Sequence, residues 1–224
     1  MNMVCCMIFW NDTPAMLERS MKAVRDNGFD IVAADGAYQE FMAVSDIKDP
    51  TSTDGCLDIA AKYAESLILS PPAGWKSEAE KRQACLRHVH VDEYFIISDA
   101  DEVLRPMMLD AVPTGDAGRM IEVLHLLDGR TAERPLVRMW KRFQDLGYRY
   151  QHCRLYHLNQ MDPADINAGL VSRASSSINL KYPILTNSDG TQVKFDHYPH
   201  TRPIERQIQK GHYYVARSEN KYPF

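Results

Sequence analysis

The first hundred residues alternate between a strand pattern and a helix pattern. Val4 to Trp10 is an apolar run of strand length. Thr13-Pro14 follows, a capping residue with proline in the first turn, and predicts a helix striped by Leu17, Met21 and Val24. Gly28 stops that helix. "FDIVAA", Phe29 to Ala34, predicts a second strand ending at Asp35-Gly36. After a stretch with no clear period, "STDGCLDIAAKYAESL" places Leu57, Ala60, Ala61, Ala64 and Leu67 on one helical face. "LILSPP" predicts a short third strand. Ser77 and Glu80, at capping-box spacing, open a helix running to about Val89. Tyr94 to Ile97 then reads as a buried strand. The order β-α-β-α-β-α-β predicts a mostly parallel sheet covered by helices.

The second half is less regular. Met120 to Leu127, Pro135 to Phe143 and "YRYQHCRLYHL" each predict a strand. Residues 160–190 are polar, with "NSDG" as a turn. "VKFDHYP" predicts a last strand. From Pro203 to about Arg217 a closing helix is expected, with Ile204, Ile208 and Val215 along one side. No repeat or linker interrupts the chain. The expectation is one α/β domain over residues 1–224, with a mixed α+β second half.

Composition narrows the classes. The 224 residues are 45% apolar, enough for a core without staples, and the net charge is −4. That balance does not advertise a nucleic-acid coat. Locally, though, Arg134, Arg138, Lys141, Arg142 and Arg149 cluster, as a phosphate-facing patch or an ordinary solvated strand edge. The cysteines are Cys5, Cys6, Cys56, Cys85 and Cys153, an odd number with no CxxC pair. This predicts a reduced, cytoplasmic protein without structural zinc or disulfides. "MNMVCCMIFW" lacks a basic leader and a small-residue cleavage site, so it reads as a first strand and not a signal peptide. No apolar run is long enough to span a membrane.

Three predicted strand ends carry polar groups: Asn11-Asp12, Asp35-Gly36, and the run Asp99, Asp101, Glu102. In open parallel sheets, ligands bind beyond the carboxyl ends of the strands, so these groups converge on one edge. Asp99 and Asp101 are two apart and point the same way if the chain stays extended. Hard cations such as Mg²⁺ or Mn²⁺ take one or two carboxylates together with substrate phosphates. The plainer alternative is a turn whose aspartates cap backbone amides.

"KRQACLRHVHVDEYFIISDADEVL" resembles a stretch of the family-2-like glycosyltransferases of the GT-A fold, the nucleotide-diphospho-sugar transferase superfamily. There a helix with a Lys/Arg pair leads into an apolar strand ending in Asp-x-Asp, often followed by Glu. "STDGCLDIAAKYA" resembles the family's "STDGT" segment and the helix after it. "FWND" sits where a short polar turn such as "KNE" is usual. The resemblance covers residues 3–104 well and the rest loosely. It implies a GT-A (Rossmann-like) sheet, with residues 1–104 as the nucleotide-sugar half and 105–224 as the acceptor half. It implies Mn²⁺ or Mg²⁺ and a nucleotide-sugar donor, with UDP as the expected nucleotide.

Position by position, Asp101 resembles the principal metal ligand, and Asp99 a ribose contact or a second metal ligand. Asp35 resembles the uracil or ribose contact, and Arg82 the helix residue that reaches the donor, or else a solvated charge. Phe9 and Trp10, with Asn11 beside them, end strand one where an aromatic can stack on the base; core packing is an equal reading for Phe9. The family joins its strand-two acid directly to "GSTDGT", whereas here "AYQEFMAVSDIKDPT" intervenes between Gly36 and Ser52. That segment is either an inserted loop over the donor site or a sign that the register of Asp35 is different.

His197 resembles a late-strand histidine that completes the metal site, with Asp196 and His200 as rivals. Arg202, Arg206 and Lys210 recur every four residues and so share a helix face suited to a departing diphosphate, or simply a solvated face. Tyr213 and Tyr214 lie near the same segment. A base for the acceptor is the least defined element: Asp145 and Glu133 are loop candidates, and Glu122 lies in a predicted strand. The family's Glu-Asp acceptor motif is not visible, which leaves inversion and retention both open. The resemblance implies a hydroxyl acceptor, on a glycan, a small molecule or, as the lesser option, hydroxymethylated DNA. Two other classes compete: a non-catalytic nucleotide-sugar or glycan-binding module, and a haloacid-dehalogenase-type phosphatase. The second follows from "DADEV" satisfying D-x-D-x-[TV], a motif that family places on its first strand.

Overall fold

A computed structural model describes residues 3–45, 47–108, 115–148, 155–157, 182–204 and 207–209. Its first strand, β1 (Met3–Phe9), is buried at every position. The cause is a covering on both faces. Met3, Cys5, Met7 and Phe9 pack with Leu17, Met21 and Val24 of α1 (Pro14–Asp26) and with Cys56 and Ala60 of α3 (Cys56–Tyr63). Val4, Cys6 and Ile8 pack on the other side with Ala79, Ala84, Cys85 and Leu86 of α4 (Glu78–Leu86). A strand buried on both faces reads as a continuous apolar run, as this one does.

The remaining strands are β2 (Phe29–Asp35), β3 (Ser66–Ile68), β4 (Tyr94–Asp99), β5 (Glu102–Leu104), β6 (Ala117–His125), β7 (Thr131–Lys141), β8 (Leu146–Tyr148), β9 (Leu155–His157) and β10 (Lys194–His197). Eight of them form one sheet in the order β3-β2-β1-β4-β7-β6-β10-β5. β1 to β4 run parallel, β7 is antiparallel to both of its neighbours, β6 and β10 are parallel, and β5 is antiparallel to β10. The chain steps outward from β1 to β2 and β3, then returns to lay β4 on the other side of β1. The order therefore reverses between β1 and β4, and such a reversal opens a crevice at the carboxyl ends of the two strands. No helix among the described residues is long and apolar enough to cross a membrane. Cys5, Cys6, Cys56 and Cys85 are buried free thiols; Cys153 lies outside the described residues.

Several expected elements are corrected. The helix read through Leu67 ends at Tyr63, because Glu65 N–H is taken by Ile31 of β2 and pulls the chain into β3. The unpatterned segment after Gly36 contains a helix, α2 (Gln39–Ser45). "YRYQHCRLYHL" is not one strand: Tyr148 and Leu155 pair across an antiparallel ladder, which requires the chain to reverse between them. β5 fills an edge beside β10 that no periodicity announced. The capping box closes one residue early, with Glu80 N–H on Ser77 Oγ but the Glu80 carboxylate on Lys76 N–H. Ile204 and Ile208 are exposed in the closing segment, and residues 210–217 of the expected helix lie outside the described residues.

Two devices hold the carboxyl ends together. Gly36 adopts φ 112° with Ser70 so close that a Cβ would meet it at 2.4 Å, so only glycine fits. Lys81, 1% exposed, donates from Nζ to Phe9 O and to Gly36 O, each at 2.6 Å. This ammonium ties the exits of β1 and β2 from beneath. Lys81→Met is expected to lower stability by about 3 kcal/mol in urea unfolding, since two charge-assisted hydrogen bonds go with it. A loss under about 1 kcal/mol would show that the strand ends do not depend on this latch.

Candidate functional site

The exit of β1 is stitched to the "STDG" loop. Asn11 sits at φ 42°, a left-handed conformation that asparagine tolerates. Its N–H donates to Ser52 Oγ at 2.9 Å, and its Oδ1 accepts from Thr53 N–H at 2.8 Å. Ser52 in turn donates from Oγ and N–H to the Asp35 carboxylate at 2.5 and 3.1 Å. Burial pushes the Asp35 carboxyl upward, against the pull of Ser52 and Lys81. The "AYQEFMAVSDIKDPT" segment leaves and re-enters beside this junction, with Ala37 N–H on Pro50 O at 2.8 Å. Its α2 puts Phe41 edge-on to Trp10 at 5.5 Å. A cleft of about 370 Å³ results, lined by Trp10, Asn11, Ile47, Thr51, Asp54 and Pro203 among others.

The exit of β4 separates the two aspartates of the Asp-x-Asp motif. Asp99 Oδ1 accepts from Arg82 at 2.7 Å, and Arg82 is also held by Glu78 at 2.8 Å. Burial opposes ionisation of Asp99, but Arg82 and Arg138 outweigh it and hold the group well below the usual carboxylate range. After the turn at Ala100, Asp101 points to a different set of groups. It is 1% exposed, and neither carboxylate oxygen has an aligned hydrogen-bond donor. Arg202 Nη2 stands 3.1 Å from Oδ1 and His197 Nε2 stands 3.6 Å from Oδ2. Burial raises the Asp101 carboxyl, and these two cations more than reverse that.

His197 reaches Asp101 because of strand pairing. It lies opposite Glu102 of β5, while Phe195, two residues earlier, aligns with Glu122 of β6. Alternation therefore puts Glu102, His197 and Glu122 on one face of the sheet. His197 Nδ1 is 2.7 Å from Glu122 Oε1. Burial alone would depress this imidazole, but Asp101 and Glu122 lift it to about 10. Burial also pushes Glu102 up to about 7 despite its partner Arg138. Glu122, although buried, is held down at about 2 by His197 and Arg134.

Asp196, the neighbour that alternation left in contention, faces the other way and binds Arg105 and His125. His200 sits in the turn after β10 with Nδ1 buried and lacking a hydrogen bond. The same turn carries Arg202, whose Nε donates to Asp12 Oδ1 at 2.8 Å. Thr13 Oγ1 donates to Thr201 O at 2.6 Å, and Tyr198 N–H to Asp101 O at 2.9 Å. Asp12, Ser52, Lys81 and Glu102 thus support the site; the sequence marks Asp12 and Glu102 only as polar groups at strand ends and gives Ser52 and Lys81 no role of their own. The signal for Asp12 was its place at a strand end.

The other candidates are dispersed. Phe9 is in the core. Glu133 lies in β7 and not in a loop, where it is ion-paired with Lys194. It opposes Val123 and so stands on the face away from Glu122. Asp145 follows Lys141, which pairs with Tyr94 at the start of β4; that is the edge opposite Asp101. Arg206 and Lys210, with Tyr213 and Tyr214, lie outside the described residues. The basic cluster is engaged internally: Arg134 with Glu122, Arg138 with Glu102, Lys141 with Asp92, and Arg142 with the carbonyls of Phe143 and Leu146. Arg149 is outside the described residues.

The donor set suits a hard divalent cation. Glu102, Glu122 and His197 offer ligand atoms all within 4.8 Å of one another. Each of those glutamates already holds an arginine. Asp101, beside the same histidine, is the carboxylate whose two buried oxygens have no aligned donor. Carboxylate oxygens with an imidazole are a set that Mn²⁺ accepts.

No protein-family model matches the chain, and no curated protein matches it. Among solved structures, the crystal structure of S. aureus TarS 1-349, a glycosyltransferase, is similar at 14% identity and a TM-score of 0.38. The similarity takes in 60% of this chain and 39% of that one, so the chain spans well under half of the TarS structure. A likeness of that strength is loose, and it assigns no role to any residue here. What the chain itself establishes is a mixed α/β architecture around a curled eight-stranded sheet, compatible with a Rossmann-like fold.

Proposed function

We propose that the protein is a metal-dependent glycosyltransferase that moves a sugar from a nucleotide diphosphate donor, UDP-linked, to a hydroxyl acceptor. One observation carries the reading. Asp101 is a fully buried carboxylate with no aligned hydrogen-bond donor on either oxygen, at the crevice where the strand order reverses. Arg202 and His197 face that charge, but neither makes an aligned hydrogen bond to it, which leaves oxygens that an ion can take. Asp101 and His197 would hold Mn²⁺ or Mg²⁺, with Asp99 close behind on Arg82. A divalent ion there would neutralise charge that gathers on a departing diphosphate.

The chain's own groups divide the remaining work. The cleft beside Trp10 and Asn11 takes the nucleoside; Trp10 itself is 4% exposed and packed with Phe41, so it shapes the wall and offers no open stacking face. Asp35 acts indirectly, by ordering Ser52 and the loop that carries Thr53 and Asp54. Arg202 adds fixed positive charge near the metal position; Arg206 and Lys210 lie outside the described residues. Residues 1–104 supply most of this donor side, and residues 105–224 the acceptor side. Hydroxymethylated DNA is the weaker acceptor choice, since the described basic residues on β7 are committed to internal partners.

The placement of Glu133 and Asp145 away from the crevice favours a second reading, a nucleotide-sugar-binding module without turnover. The two separate cleanly. UDP-, GDP- and dTDP-sugars are incubated with the protein, with and without Mn²⁺, and released nucleotide is measured. The transferase reading expects slow release from a UDP-sugar that requires the ion; Mn²⁺-dependent binding without release supports the module, and neither sinks both. Asp101→Asn, assayed where the variant is still folded, is expected to lower release about a hundredfold, and also to lower the melting temperature because His197 and Arg202 lose their shared carboxylate. Release that survives this change unaltered would remove Asp101 from the site.

A further inference from the structure

Arg202 is anchored differently from an ordinary helix cation. Its guanidinium bridges two carboxylates on separate strand exits, Asp12 after β1 and Asp101 after β4, across the crevice between them. The two contacts are unequal. Toward Asp12 the Nε–H donates a well-formed hydrogen bond at 2.8 Å; toward Asp101 the 3.1 Å approach is electrostatic and not aligned. Asp12 is itself pinned, 5% exposed, with Oδ2 accepting Trp10 N–H at 3.1 Å. The backbone on both sides is also tied, through Thr13 to Thr201 and Tyr198 to Asp101. Gln207 Nε2 holds Arg202 O at 2.8 Å. What remains free to change is the direction of one end of the guanidinium.

We propose that Arg202 is a resident counter-cation of Asp101 that a divalent ion displaces, while Asp12 keeps the displaced guanidinium in place for the anion arriving with that ion. The proposal rests on the metal reading of Asp101. An ion held by Asp101 would bring a second positive charge to that carboxylate. A guanidinium 3.1 Å from the same carboxylate then faces a like charge inside a buried site, where screening is weak. With its Nε–H still on Asp12, the group pivots and does not leave. Its Nη donors then turn toward a nucleoside diphosphate, for which a forked guanidinium is well shaped. Asp12 is therefore a positioning residue, and ion and nucleotide binding become coupled through Arg202.

The test is Mn²⁺ binding, read from the paramagnetic resonance of the free ion, with and without UDP. Without nucleotide, Arg202→Gln is expected to bind Mn²⁺ about ten-fold more tightly than wild type, a common size for coupling between sites. Arg202→Lys keeps a cation at the carboxylate and is expected within about two-fold of wild type. UDP should raise the Mn²⁺ affinity of wild type, and raise it less in Arg202→Gln and in Asp12→Asn. A purely structural Asp12 would change the melting temperature but not that ratio. Equal or weaker Mn²⁺ binding by Arg202→Gln overturns the proposal and leaves the metal reading intact. If no variant and no wild-type protein binds Mn²⁺, or Asp101→Asn binds it unchanged, the metal reading falls first and the proposal with it. Should Arg202→Gln fail to fold, the Arg202 Nη–H resonances of the wild type, which belong to the end that pivots, are followed during a Mg²⁺ titration. A shift that saturates is expected, and an unmoved resonance overturns the exchange.

Discussion

Carboxylates crowded out of water have to be matched by cations, and this constraint organises the whole carboxyl edge of the sheet. Asp12, Asp99, Asp101, Glu102 and Glu122 gather there, and each meets an arginine or a histidine drawn from a different part of the chain. Arg82 comes from α4, Arg138 and Arg134 from β7, His197 from β10, and Arg202 from the turn beyond it. Removing one partner from such a set strands the other in a poor solvent, which destabilises far more than the pair stabilises. The edge therefore behaves as one unit, and the late segments dock through charge as much as through apolar contact.

That unit also explains why β5 and β10 exist as short strands at the far edge. Three residues of β5 suffice, because their task is to turn Glu102 toward His197 and Arg138. Tyr198 then returns a hydrogen bond to the Asp101 backbone, closing the turn that presents the carboxylate. Residues distant in sequence are thus brought to one face by ladder register, the most exacting alignment the backbone offers.

Much of this was legible in the chain. β1, β2 and β4 announced themselves because strands buried on both faces must be apolar throughout. Asp101 and His197 stood out as charge at predicted strand ends; Arg202 stood out with Arg206 and Lys210 as a helix face, whereas it sits with extended backbone in the turn after β10. The choice between Asp196 and His197 was not legible, because it depends on which face of β10 meets β5 and β6. The roles of Glu102 and Glu122 were hidden for the same reason: their arginines come from the antiparallel β7. Lys81 was legible only as half of a Lys/Arg pair on the helix before β4, since nothing local says that its ammonium ends on two carbonyls of other strands. α2 carried no period because it packs a single aromatic, Phe41, under Trp10.

The segment between Gly36 and Ser52 leaves and rejoins the frame at nearly the same point. Asp35 grips Ser52 on one side of it, and Pro50 meets Ala37 on the other. Its two ends are held by the frame, and between them Gln39 N–H on Trp75 O and Phe41 on Trp10 are its chief ties to it. Closing a longer or shorter loop between fixed ends changes the entropy only slowly with length. The wall of the cleft is therefore a replaceable panel. Its sequence can drift to suit a different ligand while the acids, the arginines and the strand register behind it stay where they are.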